Sequence, residues 1–324
     1  MKRFIGVLLI ICVLGFIGCT EKNEKTEIGI IQIVEHPALD DAREGFIKAL
    51  EDNGFDLEKV NIDYQNAQGD MTTSQTISER FKSEKKDLVL AIATPTAQTM
   101  FNVLENSDLD TKLAITAVTD PVEAGLIKEG ENGSDFVFGT SDKTPIDKQI
   151  DLIKKILPET KKIGVLYNTS EQNSLIQIEW LESLAKENNM SLELKGVTNV
   201  NEVAQALESI LSNIDILYVP TDNVIASAMP ILAKKCNEKK IPIIGSEKAH
   251  VEQGALATEG ISYFKLGYQT GEMAVEVLKG KDVRELKIET LKETECIINK
   301  EVVELLELSI PDEFEDKIVT LDKE

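Results

Sequence analysis

Short β-branched apolar runs alternate with stretches of helical period along most of this chain, and the alternation starts twice. Ile28-Gly29-Ile30-Ile31-Gln32-Ile33-Val34 is such a run, closed by the charged, proline-bearing Glu35-His36-Pro37, and it reads as a buried strand. Leu39, Ala42, Phe46, Ala49 and Leu50 then recur at helical spacing, and Asn53-Gly54 supplies a stop. The pattern continues with strands over 60–64, 88–93 and 113–118 and helices over 72–83 and 96–104. Lys162-Ile163-Gly164-Val165-Leu166-Tyr167 then repeats the character of Glu27-Ile28-Gly29-Ile30-Ile31. Strands near 192–197, 214–219 and 241–244 follow it, with helices near 174–188, 201–211 and 223–236. Strands alternating with helices predict parallel sheets covered on both faces. Two such series predict two doubly wound α/β lobes.

The tail does not fit the second lobe. Residues 256–258, a helix over 263–278 and the strand-like 295–299 would overfill it, so the chain is expected to return to the first lobe and cross back. Three crossing segments make a hinge that can close on a ligand. The expected boundaries are 28–138 plus 258–290 for the first lobe and 139–257 plus 291–324 for the second. Gly130, Gly133, Gly139 and the strand-like Phe136-Val137-Phe138 read as part of the first crossover.

The amino terminus carries an address. Lys2 and Arg3 precede an apolar and glycine run from Phe4 to Ile17, closed by Gly18-Cys19. The run is too short to span a bilayer comfortably and has signal-peptide character. A small residue before cysteine resembles the lipobox of bacterial lipoproteins, with Phe16 where leucine is usual. The resemblance implies cleavage after residue 18, lipidation of Cys19 and a place on the outer face of the cytoplasmic membrane. A plain secretory signal containing Cys19 is the alternative. Residues 19–27 are polar throughout and read as a flexible linker.

Composition removes several function classes. The formal charge is −22, and loss of Lys2 and Arg3 with the signal makes it −24. Such a surface repels phosphate backbones, so no nucleic-acid partner is expected. Beyond Cys12 and Cys19 only Cys236 and Cys296 remain, without zinc spacing, and both read as buried free thiols. His36 and His250 are the only histidines, which excludes a His-rich metal site; neither metal nor cofactor is expected. GxSxG, GxxxxGK[ST], HExxH and a GxGxxG after the first strand are absent, which weighs against an enzyme. Aromatic residues make up only 5% of the chain, few for the stacking platforms of a sugar site.

In open parallel sheets ligands bind beyond the carboxyl ends of the strands, beside helix N-termini. The segments there include 35–37, 65–68, 94–98, 116–121, 168–174, 220–223 and 245–247, and they are rich in Thr, Ser, Asn and Asp. Each of these residues is also an ordinary helix cap or turn residue. Seven such loops meeting at one cleft, however, describe a polar small-molecule site. Thr94-Pro95-Thr96, hydroxyls beside a proline-started helix, suits a carboxylate, and Asp222 suits an ammonium group. His36 reads equally as a cleft wall or as a satisfied turn residue.

Five segments carry a family resemblance over nearly all of the mature chain. They are Ile33-Val34-Glu35-His36-Pro37-Ala38-Leu39-Asp40, Asp63-Tyr64-Gln65-Asn66-Ala67-Gln68-Gly69-Asp70, Ala91-Ile92-Ala93-Thr94-Pro95-Thr96-Ala97-Gln98, Thr116-Ala117-Val118-Thr119-Asp120-Pro121 and Tyr218-Val219-Pro220-Thr221-Asp222-Asn223. In that order they resemble the tryptophan/tyrosine (TrpX-like) substrate-binding lipoproteins of ABC importers. The resemblance implies a type I periplasmic-binding-protein fold, no catalysis, an aromatic amino acid as ligand, and a permease and ATPase as partners of a monomer. It carries Thr94, Thr96, Thr119, Asp222 and Asn223 to the ligand site, with Glu35, Asn66, Asn168, Ser174 and Ser246 behind them. Where many relatives have Asn-Pro, this chain has Asn168-Thr169. A surface sensor or adhesin of the same fold, another amino-acid-like or nucleoside-like ligand, and a lipid-anchored hydrolase are the competing readings.

Overall fold

The computed structural model describes residues 25–131 and 134–321. The signal peptide and Cys19 lie outside these. Strand β1 (Thr26–Gln32) opens the first sheet and is followed by α1 (Pro37–Asp52), β2 (Val60–Asn66), α2 (Met71–Ser83), β3 (Leu88–Ile92), α3 (Thr94–Leu104), β4 (Lys112–Val118) and β5 (Val137–Ser141). With β11 (Glu289–Thr290) these strands form a six-stranded parallel sheet in the order β11-β5-β4-β3-β1-β2. The linker expected to run to residue 27 therefore ends earlier. Thr26 already pairs with Val60, and Glu27 accepts hydrogen bonds from Asn61 and Lys86.

The second lobe repeats the plan. It contains α4 (Ile146–Ile156), β6 (Lys162–Asn168), α5 (Gln172–Glu187), β7 (Ser191–Val197), α6 (Val200–Ile210), β8 (Ile216–Val219), α7 (Asn223–Ser227), α8 (Met229–Glu238), β9 (Ile243–Gly245), α9 (Lys248–Glu252) and β10 (Ala257–Gly260). After α10 (Tyr263–Leu278) has returned to the first lobe, β12 (Glu295–Asn299), α11 (Lys300–Leu306) and β13 (Ile318–Val319) finish the second. Its sheet runs β13-β12-β10-β9-β8-β6-β7, with β12 antiparallel to β10. The helix expected over 223–236 is two helices, broken at Ala228 by Pro230, whose ring cannot continue the turn.

Both sheets carry the same core order, second strand, first, third, fourth, fifth. Each therefore has a switch point beside its first strand, at β1/β3 and at β6/β8, where chain direction reverses and a crevice opens. Three segments join the lobes: 142–145, 261–262 and 291–294. Two expected boundaries move. Residues 139–141 belong to β5 of the first sheet, since Phe138 and Gly139 pair with Ala114 and Ile115. Residues 258–260 belong to β10 of the second sheet, since Thr258 pairs with Gly245 and Ile297. In both cases the strand continues past the last strongly apolar residue.

The first lobe is closed by the returning helix. Helices α1 and α10 pack so tightly that a Cβ on Gly267 would lie 1.9 Å from the Ala42 carbonyl oxygen, and one on Gly45 would lie 2.1 Å from that of Phe264. Below this crossing Phe46, Leu50, Leu266 and Ala274 are fully buried in one continuous core with the β1, β3 and β4 side chains. Burying a side chain the size of Phe46 contributes about 2–3 kcal/mol. In the second lobe two apolar clusters cover the two faces of the sheet. Cys236 and Cys296 are both free, the first buried and the second half-buried. Among the described residues no helix is long and apolar enough to cross a membrane.

Candidate functional site

The carboxyl ends of both sheets face each other across the hinge and enclose a narrow, nearly filled cleft. His36, Leu39, Ala117 and Thr119 line it from the first lobe, and Asn173, Thr221, Asp222, Asn223, Ala226 and Glu247 from the second. Asp142 enters from the first crossing segment and Tyr263 from the start of α10. Of the expected site residues, His36, Thr119, Asp222 and Asn223 are thus brought together.

On the first-lobe side, the backbone is strained where β3 and β4 end. Ala93 has φ +82° and Ala117 has φ +56°, left-handed values that cost a non-glycine residue of order 1 kcal/mol and gather at ligand sites. The Ala117 conformation coincides with a register break between β4 and β5. Thr94 follows Ala93 and starts α3, its hydroxyl buried and without a hydrogen-bond partner. Thr96 is spoken for: its hydroxyl turns back on the Ile92 and Ala93 carbonyls at 2.6 and 3.0 Å. Asn66, on edge strand β2, caps its own turn by accepting from the Gln68 amide. Glu35 is exposed and accepts from the Tyr64 hydroxyl. Neither Glu35 nor Asn66 joins the cleft lining.

The second-lobe side is a filled network centred on two carboxylates. Asp222 caps α7 by accepting from the Ile225 amide at 2.9 Å, and its other oxygen accepts from the Asn168 amide at 2.5 Å and the Ser174 hydroxyl at 2.6 Å. Glu171 accepts from the side-chain amides of Asn168, Asn173 and Asn223 at 3.0, 3.2 and 2.5 Å. Burial, and then the charge of Glu171, push the Asp222 carboxyl up to about 7. Asn168 and Ser174 therefore hold Asp222 from behind the lining. Ser246 is buried beside the Gln149 side chain, its hydroxyl without a partner and likewise outside the lining.

A third group lies at the hinge. Asp142, the first residue after β5, accepts from the Tyr263 hydroxyl at 2.6 Å through Oδ2, while Oδ1 is buried and accepts nothing. Burial pushes its carboxyl up to about 6 against the opposing effect of Tyr263 and Thr119. Burial would also raise Glu247, but His250, whose Nε2 lies 3.1 Å from Oε1, carries that carboxyl below its ordinary value with help from His36. His36 itself is lowered by burial, and its Nε2 stands 3.5 Å from Asn223 Oδ1 of the other lobe. No lysine or arginine is among the lining residues.

Asp142, Glu247, Asn173, Thr221 and Tyr263 were not among the expected site residues. Asp142 escaped because residues 136–138 read as crossover rather than as a strand whose carboxyl end would point here. Glu247, Asn173 and Thr221 stood in strand-end loops, where nothing in the sequence ranks one polar residue above its neighbour. Tyr263 begins a helix whose lobe only the tertiary fold decides.

The model for the family "ABC transporter substrate binding protein" matches residues 27–318. The chain is 52% identical over 290 residues, 89% of its length and 83% of the relative's, to the tyrosine-binding protein of Clostridioides difficile. A Streptococcus pneumoniae domain in complex with L-Trp superposes with TM-score 0.86 at 34% identity, over 91% of this chain and 100% of that one. The ligand-free, open structure of a substrate-binding protein with adhesive properties from Clostridium difficile is 48% identical over 92% and 100% of the two chains, yet superposes at only 0.68. Identity and superposition thus run in opposite orders for these two structures. The chain belongs to the substrate-binding proteins of ABC importers, type I in fold, whose task is extracytoplasmic ligand capture and not catalysis.

Proposed function

We propose that the chain captures an aromatic amino acid, tyrosine, phenylalanine or tryptophan, in the interlobe cleft and hands it to a membrane permease driven by an ATPase. The observation that carries this reading is the cleft itself, which sets carboxylates without a neighbouring lysine or arginine beside the apolar Leu39, Ala117 and Ala226. Such a lining fits an ammonium group and an apolar body. The tyrosine-binding relative and the relative holding L-Trp support the same ligand class. His36, Thr119, Asp222 and Asn223 form the proposed shell, and the strained start of α3 with Thr94 offers amide and hydroxyl donors to a carboxylate. Ligand capture by the closed form raises the melting temperature by mass action. A panel of the twenty amino acids in thermal melts tests this directly: the three aromatic ones are expected to shift the transition most, and flat melts with all three at millimolar concentration would remove the aromatic assignment.

The proposed position is the outer face of the cytoplasmic membrane, held there by lipid on Cys19 with residues 20–24 as tether to a monomeric receptor. Cys19→Ser is expected to move the protein from the membrane fraction to the medium. A second reading, surface adhesion, is favoured by the 48% identical relative described as having adhesive properties. Loss of host-cell attachment on deleting the gene, restored by the protein but not by the amino acid, would establish it.

A further inference from the structure

Three carboxylates line the cleft, and they differ in what already satisfies them. Both oxygens of Asp222 are engaged, by two backbone amides and the Ser174 hydroxyl. Glu247 has His250 at ion-pair distance. Asp142 is 2% exposed and accepts from the Tyr263 hydroxyl on Oδ2, with the Thr119 hydroxyl also beside the carboxyl; its Oδ1 is buried without a hydrogen-bond partner. The groups facing it are Thr119 from the end of β4, Tyr263 from α10 and Glu247 from the second lobe, and none of them is a cation. A buried carboxylate oxygen without a donor costs free energy that a bound cation would recover.

We infer that Asp142 Oδ1, oriented through the Tyr263 hydroxyl, is the acceptor for the ammonium group of the bound amino acid, and that Asp222 is a structural acid of the second lobe. This rests on the amino-acid reading above. Position adds a consequence. Asp142 is the first residue of one crossing segment and Tyr263 the first residue after another, so the hydrogen bond between them ties two of the three hinge strands together. An ammonium group seated on Asp142 acts at the hinge, where closure is decided, instead of on the rim of one lobe. Tyr263 is then a positioning residue that fixes the direction in which Oδ1 points.

Calorimetric titration of the full-length protein separates these roles. Wild type, Asp142→Asn and Asp222→Asn are titrated with L-tyrosine, L-tryptophan and 3-(4-hydroxyphenyl)propionate, which is tyrosine without its amino group. Asp142→Asn is expected to lose about a hundredfold in affinity for the amino acids, the loss typical of removing one partner of a buried charge pair. Toward the deaminated acid it should match wild type, because no ammonium is present to miss the charge. Equal affinities of wild type and Asp142→Asn for the amino acids overturn the inference, and so does an equal loss toward the deaminated acid. Wild type that binds neither amino acid overturns the aromatic reading itself, a different result. Circular dichroism checks that the variant is folded, with Asp142→Ser in its place where the amide is not tolerated.

Discussion

The two lobes share a strand order but hold their cleft edges together by different means. The first lobe depends on close backbone approach, with α10 seated on α1 through Gly45 and Gly267, and its cleft edge is left unsatisfied at Thr94 and strained at Ala93 and Ala117. The second lobe depends on a hydrogen-bonded network in which Asp222 and Glu171 collect donors from the two segments that follow β6 and β8. The Asp222 and Glu171 acids of the second lobe are thus engaged before a ligand arrives, whereas Thr94 of the first lobe and Asp142 Oδ1 at the hinge are not. A rigid wall set against an unsatisfied one makes closure depend on what lies between them.

The largest expected effect breaks the first lobe. Gly267→Ala sets a methyl group into the Ala42 carbonyl, and because the obstacle is backbone the helices must part; a loss of about 3 kcal/mol or more in urea unfolding is expected. The same change at Gly280, whose Cβ would meet nothing, is strained only by its φ of +99° and should cost about 1 kcal/mol. In the second lobe, Asp222→Ala strands the Asn168 and Ile225 amides and the Ser174 hydroxyl, for a loss of about 2–4 kcal/mol. Should that variant unfold like wild type, the network is decoration and the contrast between the lobes fails.

The hinge acid should behave in the opposite way. Asp142 titrates at about 6 when folded against an ordinary 3.8, so the folded state holds its proton over that interval. Its contribution to stability is complete below the unfolded value and is lost as pH rises through about 6. Asp142→Asn removes the loss. Relative to wild type the ligand-free variant should gain stability between pH 4 and pH 8, by up to about 3 kcal/mol. A gap that stays constant across that range would show Asp142 to be solvated in solution. A smaller effect than that of the hinge acid concerns Tyr218, whose buried hydroxyl donates to the Gln149 side chain at 2.5 Å. Tyr218→Phe is expected to lower stability by about 1–2 kcal/mol, read as a shift in urea midpoint, with ligand affinity unchanged.

Local sequence carried much of the architecture because strand and helix announce themselves through side-chain period. Ile28–Val34 and Lys162–Tyr167 are legible as first strands, since a run buried on both faces must be apolar at consecutive positions. The ends of elements were harder to read. Gly139, Thr140 and Ser141 extend β5 on backbone pairing alone, and polar Thr258 and Glu259 sit within β10. Those two three-residue extensions moved the lobe boundaries, and the one in β5 hid Asp142. The five family segments led to His36, Thr119, Asp222 and Asn223, but Thr96 and Asn66 in the same segments spend their side chains on their own helix and turn.

The type of each element, the doubling of the plan, the acidity of the surface and the family are legible along the chain alone. Each of these depends on composition or on neighbours a few residues away. The tertiary structure decided which strand-end residues face the cleft and which acid is left without a donor. Asp142, Asp222 and Glu247 are chemically alike in the chain, and only partners brought from 121, 48 to 54 and 3 positions away distinguish them. Burial raises or lowers an acid according to what shares its pocket, and the pocket exists only when both lobes and the hinge are in place.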